Sequence, residues 1–232
     1  MNSQDALSPR CFALVPAAGV GERSGAGMPK QYVSIAGQPM LAHTLAALSA
    51  VPRIAQTLVV LSPADDRFEA AVPGHTGWVA RVGGASRADS VLGGLAELRR
   101  RGAVDEDWVL VHDAARCLLA PEWVDTLIDA CLPDAVGGLL AQPIADTLKA
   151  GDADGRVTAT VDRRDKWAAQ TPQMFRLGLV EKALTAMGAA ATDEASAVEA
   201  LGLAPRLVRA SMANFKVTWP EDFELAERWL RA

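Results

Sequence analysis

Residues 11–32 read CFALVPAAGVGERSGAGMPKQY, an unbroken apolar run that gives way to a loop carrying Gly19, Gly21, Gly25 and Gly27 before Lys30. An apolar run without polar alternation suits a strand buried on both faces of a parallel sheet. Sheets of that kind bind ligands beyond the carboxyl ends of their strands, so the loop stands where chemistry is expected. Working outward, the same kind of run recurs at 57–62 (TLVVLS), 78–82 (WVARV), 108–114 (WVLVHDA), 136–142 (VGGLLAQ) and 205–210 (PRLVRA). Between the runs, amphipathic stretches predict helices at PMLAHTLAALSA from Pro39, RADSVLGGLAELRR from Arg87, PEWVDTLIDACL from Pro121 and PEDFELAERWLR from Pro220. Strands alternating with helices give the α/β class, here a doubly wound, mostly parallel sheet.

The 232 residues suit one large domain spanning 1–232. One stretch breaks the alternation. From Ala145 to Gln170, two short polar strands flank the turn GDADG, which predicts a projecting β-hairpin arm at about 145–170. A two-stranded ribbon is marginal alone in water, so it must be covered. A second copy of the chain would do this and make a homodimer; folding back on its own domain is the alternative.

A net charge of −5 gives no field for binding a polynucleotide, and aromatic residues at 5% argue against a base-stacking surface. Cys11, Cys117 and Cys131 have no CxxC spacing, so neither a disulfide framework nor a zinc ligand set is indicated, and a reducing cytoplasm fits best. The segment MNSQDALSPR lacks the apolar core of a secretory signal, and no run reaches the ~18 apolar residues of a membrane span.

Three clusters carry candidate chemistry. In the first loop, glycines let the backbone approach a ligand, and successive amides form a concavity that attracts phosphate. A P-loop needs GK followed by Ser or Thr, but Lys30 stands between Pro29 and Gln31, so that reading fails. A dinucleotide fingerprint fails at Ser24, where its third glycine belongs, and Pro29 interrupts the helix that should follow, so hydride transfer is the weaker alternative. What remains is a loop holding two cations, Arg23 and Lys30, that together suit a triphosphate. The second cluster, VGGASRADSV at 82–91, offers Gly83 and Gly84 for backbone contact with a base and Ser90 for a hydroxyl, or else an ordinary turn with Ser86 or Asp89 capping a helix. The third, WVLVHDAARC at 108–117, ends a buried strand in Asp113 and Arg116. Asp113 could hold Mg²⁺, accept hydrogen bonds from hydroxyls, or form a structural pair with an arginine. His112 falls on the opposite strand face and reads as a core residue.

PAAGxGxR from Pro16, PKQY from Pro29, GGASRADSV from Gly83, HDAAR from His112, DTLK from Asp146, VDR from Val161, TPQ from Thr171, TDEAS from Thr192 and NFKVTWPED from Asn214 occur in that order. Together they resemble the 2-C-methyl-D-erythritol 4-phosphate cytidylyltransferase family from about residue 11 to 231. The resemblance departs at Glu22, where a basic or neutral residue is common, and at Cys117, which replaces a proline. It implies a Rossmann-like domain whose hairpin arm makes the dimer. It also implies transfer of CMP from CTP to methylerythritol phosphate, with release of pyrophosphate. With no room after the last helix for a fused cyclase, a monofunctional enzyme is expected.

The resemblance further implies that Arg23 and Lys30 stabilise charge on the α-phosphate and the leaving pyrophosphate, with Mg²⁺ held mainly by CTP phosphates. Ala17, Ala18, Gly19, Gly83, Gly84, Ser90 and Ala114 would form the cytidine pocket. Asp113 would bind substrate hydroxyls beside Arg116, Thr147 and Thr192, and Lys216 would reach substrate and nucleotide phosphates. Arg163 and Thr171 would grip the substrate's 4-phosphate in the partner's site. A related enzyme acting on ribitol 5-phosphate differs only on the substrate side, whereas a non-catalytic nucleotide-binding module would not need both Arg23 and Lys30.

Overall fold

Successive residues of a strand face opposite sides of its sheet, and in β1 (Cys11–Pro16) both sides are apolar. Cys11, Ala13 and Val15 belong to one core cluster, Phe12 and Leu14 to another. A computed structural model, which describes residues 8–19 and 28–231, shows the helices that cover those two faces. In chain order β1 is followed by the short β2 (Ser34–Ile35) and β3 (Gln38–Pro39), then α1 (Met40–Ser49), β4 (Ile54–Val60), α2 (Phe68–Ala71) and β5 (Trp78–Ala80). Next come α3 (Arg87–Arg100), β6 (Trp108–Val111), α4 (Pro121–Cys131), β7 (Gly137–Pro143), β8 (Leu148–Gly151) and β9 (Val157–Val161). The chain continues through β10 (Trp167–Arg176), α5 (Leu177–Met187), α6 (Glu194–Glu199), β11 (Arg206–Arg209) and α7 (Pro220–Arg231).

The central sheet has the order β11-β7-β10-β6-β1-β4-β5. Only β10 runs antiparallel, against β6 and β7, so the sheet is mostly parallel, as expected. Leu41, Leu45 and Leu48 of α1 pack with Val124, Leu127 and Ile128 of α4 in the cluster on one face. Val91, Leu95 and Leu98 of α3 join Val180 and Leu184 of α5 on the other. Coverage of both faces by helices explains the unbroken apolar runs.

Besides the short β2, β3 and α2, sequence reasoning missed β10, α5 and α6. β10 carries Gln170, Thr171 and Gln173, whose polarity hides a strand, yet all three are buried. Pro172 cannot donate to a ladder, and the pairing with β7 shifts between Ala169 and Gln173. Helix α5 follows β10 directly with no side-chain cap on its first turn, so no start signal marks it. Helix α6 is only six residues long, although Asp193 and Ser196 cap it reciprocally.

The arm is shorter than the predicted 145–170. Its hairpin pairs β8 with β9, from Leu148 opposite Val161 to Gly151 opposite Val157. Trp167, Ala168 and Ala169, expected within it, instead pair with Pro143, Gln142 and Ala141 in the central sheet. The Asp152 carboxylate accepts the amides of Asp154 and Arg156 at the turn, where Gly155 takes φ +75°. Every residue of β9 is exposed, Val157 at 64%. In β8, by contrast, Leu148 and Ala150 are half-buried.

Candidate active site

The carboxyl ends of β1 and β6 and the first turn of α3 surround a cavity of about 490 Å³. Its wall consists of residues 16–19, Lys30, Gln31, Met40, residues 84–87, Ser90, residues 113–115 and Lys216. Arg23 lies outside the described residues. Close packing dictates small residues at the glycine-loop end. A Cβ on Gly83 would stand 2.2 Å from the Ala18 Cβ and 2.7 Å from the Leu61 carbonyl oxygen, and one on Gly84 would stand 2.4 Å from the Asp89 Cβ. The Gly83 amide donates to Leu61 O, which ties this loop to the end of β4. Gly83 thus supports Ala18 from behind, while Gly84 is part of the wall.

Ser86 and Asp89 form a reciprocal capping box at the start of α3, the alternative reading of that cluster. The Ser90 hydroxyl accepts the Gly84 amide at 3.1 Å and donates to Ser86 O at 3.0 Å, so it shapes the loop as well as facing the cavity. Gln31 is buried and donates to Ala17 O at 2.9 Å, linking the segment after the glycine loop to the end of β1. Lys30 Nζ donates to Val217 O at 3.1 Å.

Asp113 is the electrostatic centre. Its Oδ1 accepts from Arg87 Nε at 2.9 Å and its Oδ2 from Lys216 Nζ at 2.8 Å, while Arg116 Nε stands 3.9 Å from Oδ2. Burial pushes the carboxyl pKa up, but Arg87, Lys216 and Arg116 outweigh it and hold the group well below the usual carboxylate range. Beyond Asp113, Arg87 forks onto Glu194, Nη1 to Oε1 at 2.6 Å and Nη2 to Oε2 at 3.1 Å. Glu194 is fully buried, and burial raises its pKa despite the arginine.

The sequence-derived residues divide in two. Ala17, Ala18, Gly19, Lys30, Gly84, Ser90, Asp113, Ala114 and Lys216 all meet at the cavity. Arg116 turns away from it, donating to Asn214 O at 2.6 Å and Ala169 O at 3.3 Å. Thr171 is buried; its hydroxyl accepts the Asp113 amide and, as the donor, satisfies His112 Nδ1, both at 3.0 Å. With its one proton committed there, Thr171 positions Asp113, which corrects the expectation that it grips a phosphate. His112 is a core residue as expected; Nε2 lies 3.2 Å from Arg116 O, and burial lowers its pKa to about 4. Thr192 is exposed and donates to Ser196 Oγ outside the cavity wall. Thr147 and Arg163 are exposed on the arm, with Arg163 donating to Ala145 O, and neither joins the cavity of its own chain.

Among the described residues, no three His, Cys, Asp or Glu side chains gather as metal ligands, and both Asp113 oxygens already face cations. The donor set is built for anions.

The family model for 2-C-methyl-D-erythritol 4-phosphate cytidylyltransferase matches residues 11–232. The chain belongs to that family. It is 56% identical to the 2-C-methyl-D-erythritol 4-phosphate cytidylyltransferase of Bordetella petrii, with 97% of this chain and 100% of the relative covered. It is 58% identical to the bifunctional enzyme IspD/IspF of Albidiferax ferrireducens, with 97% of this chain but only 54% of that longer protein covered. A crystal structure of 4-diphosphocytidyl-2C-methyl-D-erythritol synthase superposes with a TM-score of 0.85 at 41% identity, covering 97% of this chain and 100% of the other. Sequence reasoning overlooked Gln31, Met40, Ala85 and Ala115 in the cavity wall and, among charged residues, Arg87 in that wall and Glu194 behind it. Both lie inside quoted motifs, GGASRADSV and TDEAS, but each sits in the first turn of a helix, where a charged residue ordinarily reads as solvated.

Proposed function

We propose that this chain transfers CMP from CTP to 2-C-methyl-D-erythritol 4-phosphate, forming 4-diphosphocytidyl-2-C-methyl-D-erythritol and pyrophosphate, a step in making isoprenoid precursors. The observation that carries the reading is the cavity itself. A floor of small residues is faced by Lys30 and Lys216, with one carboxylate, Asp113, clamped among cations. Such a site suits a polyphosphate beside a hydroxylated partner.

A phosphate oxygen of the polyol attacks the α-phosphorus of CTP in line, forming a new P–O bond as the bond to pyrophosphate breaks. The nucleophile is already an anion, so alignment and charge neutralisation do the catalytic work and no general base is required. Lys30 and Arg23 neutralise charge growing on the α-phosphate oxygens and the leaving group. Residues 17–19, Gly84, Ser90 and Ala114 hold the cytidine, with Gly83 packed behind them. Asp113 accepts polyol hydroxyls, and Lys216 reaches the phosphates from across the cleft. Mg²⁺ enters with CTP as part of the substrate, bound through its phosphates.

The exposed arm supports a homodimer in which Arg163 serves the partner's site. If it does, mixing Lys30→Ala and Arg163→Ala subunits restores activity, because one of the two sites in a mixed dimer receives both residues intact. No recovery at any mixing ratio refutes the shared site. No described helix is long and apolar enough to cross a membrane, which accords with an enzyme working on soluble substrates in the cytoplasm. The assignment is tested by pyrophosphate release from CTP with methylerythritol phosphate and, separately, with ribitol 5-phosphate. Equal rates with the two, or no release with either, refute it.

A further inference from the structure

Arg87 and Glu194 have no part in the reaction as described, yet three hydrogen bonds tie Arg87 to Glu194 and Asp113. Arg87 is the first residue of α3, and its guanidinium divides its donors, Nε to Asp113 and both terminal nitrogens to Glu194. Glu194, with no exposed surface, does not reach the cavity wall, so it can act on substrate only through Arg87. Buried ion pairs are weak sources of stability, because desolvating the charges cancels much of their attraction. A buried carboxylate held bidentately is better explained by the orientation it imposes.

That orientation falls on Asp113. Arg87 holds Oδ1, Lys216 holds Oδ2 and Thr171 holds the backbone amide, so the carboxylate is kept in one orientation. Its Oδ2 points to Lys216 and retains a second acceptor site beside the cavity. We propose that Arg87, anchored by Glu194, is a positioning residue that aims Asp113 Oδ2 at the polyol and thereby sets affinity for the polyol phosphate, not for the nucleotide. Lysine cannot substitute. Its ammonium is a compact point charge without the planar fork, and from this position it satisfies one carboxylate or the other.

The inference rests on the reading that Asp113 meets substrate hydroxyls, and initial-rate kinetics of the full chain with both substrates varied separate the two. For Arg87→Lys, the KM for methylerythritol phosphate should rise about tenfold or more, the scale of one hydrogen bond to a charged group. The KM for CTP should stay within about twofold, because the nucleotide end of the cavity is untouched. Glu194→Gln, which keeps the shape and removes only the charge, should shift the same constant in the same direction. In an Asp113→Asn background, Arg87→Lys should add little, since the group it positions is already impaired. Arg99→Lys, on the same helix and remote from the cavity, should change neither constant.

Equal rises in both KM values, or additive effects with Asp113→Asn, would place Arg87 in general scaffolding and overturn the proposal. A lowered melting temperature with both KM values unchanged would do the same. If instead the unaltered chain releases no pyrophosphate from CTP with the polyol phosphate, the proposed function itself fails.

Discussion

Helix α3 has an arginine between two carboxylates at each end. At its start, Arg87 joins Asp113 and Glu194; near its end, Arg99 joins Asp105 and Glu181 at 2.5 and 2.6 Å. The contact geometry is nearly the same, and the surroundings differ. The Glu194 side chain is 0% exposed and that of Asp113 10%, whereas Asp105 and Glu181 are 63% and 30% exposed. In water the outer triad gains little, because solvent and salt screen it and three long side chains lose freedom. In the interior the same charges are costly to desolvate, so removing one leaves the others stranded. Burial, not the contact, decides which triad the protein depends on.

The sharpest way to break that comparison is to delete one carboxylate from each triad. Glu194→Ala should destabilise the fold by about 3–5 kcal/mol, the cost of leaving a buried partner charge uncompensated, measured as a shift in denaturant midpoint at constant slope. A loss below 1 kcal/mol would mean that Arg87, whose side chain is 28% exposed, keeps enough solvent and Asp113 contact to do without Glu194, and that the two triads are equivalent.

A second contrast of the same kind lies in the wall behind the cavity. His112 is fully buried and its pKa falls to about 4, while an unfolded histidine titrates near 6.5. The unfolded chain therefore binds this proton more readily than the folded one. Stability from this group is fully present above pH ~6.5 and is lost as pH falls toward about 4, by on the order of 3 kcal/mol. His112→Asn should flatten that acid limb in unfolding measurements across this range. An unchanged limb would assign it to carboxylates elsewhere.

How much of this was legible in the sequence follows from the same distinction. The central strands β1 and β6 announce themselves because burial on both faces of the sheet demands unbroken apolar runs such as CFALVP and WVLV. The glycine pair was legible as a residue type, and at Gly84 the constraint is local, since a Cβ there would meet Asp89; at Gly83 it comes from Ala18 and Leu61, far away in sequence. β10 was not legible, because its buried Gln170, Thr171 and Gln173 owe their place to partners far away in sequence. Gln173 donates to the Asp193 carboxylate and accepts the Ala195 amide, and the Asn214 side chain donates to Gln170 Oε1. Arg87 and Glu194 escaped notice for the same reason, since their meaning depends on a contact spanning 107 positions.

Charge that meets substrate can be separated from charge that fixes geometry at Lys30. Lys30→Ala should lower turnover by ~10²-fold, the scale for losing a preorganised charge in a transition state, while the unfolding midpoint stays nearly constant. Glu194→Ala should show the reverse weighting, with stability falling first. Near-normal turnover in Lys30→Ala would remove it from the catalytic assignment.

The smallest effect is expected at the exposed end of α3, and it tests the comparison most directly. Arg99→Ala removes both ion pairs at once, yet each partner carboxylate is left facing solvent and needs no replacement. The expected loss is within about 1 kcal/mol, and it should shrink as ionic strength rises, because the surface attraction it reports is screened over roughly 10 Å at 0.1 M salt. Part of any loss is packing, since the arginine stem covers apolar surface and that portion does not respond to salt. Measuring the unfolding free energy of Arg99→Ala at low and high salt separates the two parts. A salt-independent loss of several kcal/mol would show that the outer triad is as indispensable as the inner one, and exposure would then fail as the criterion that tells them apart.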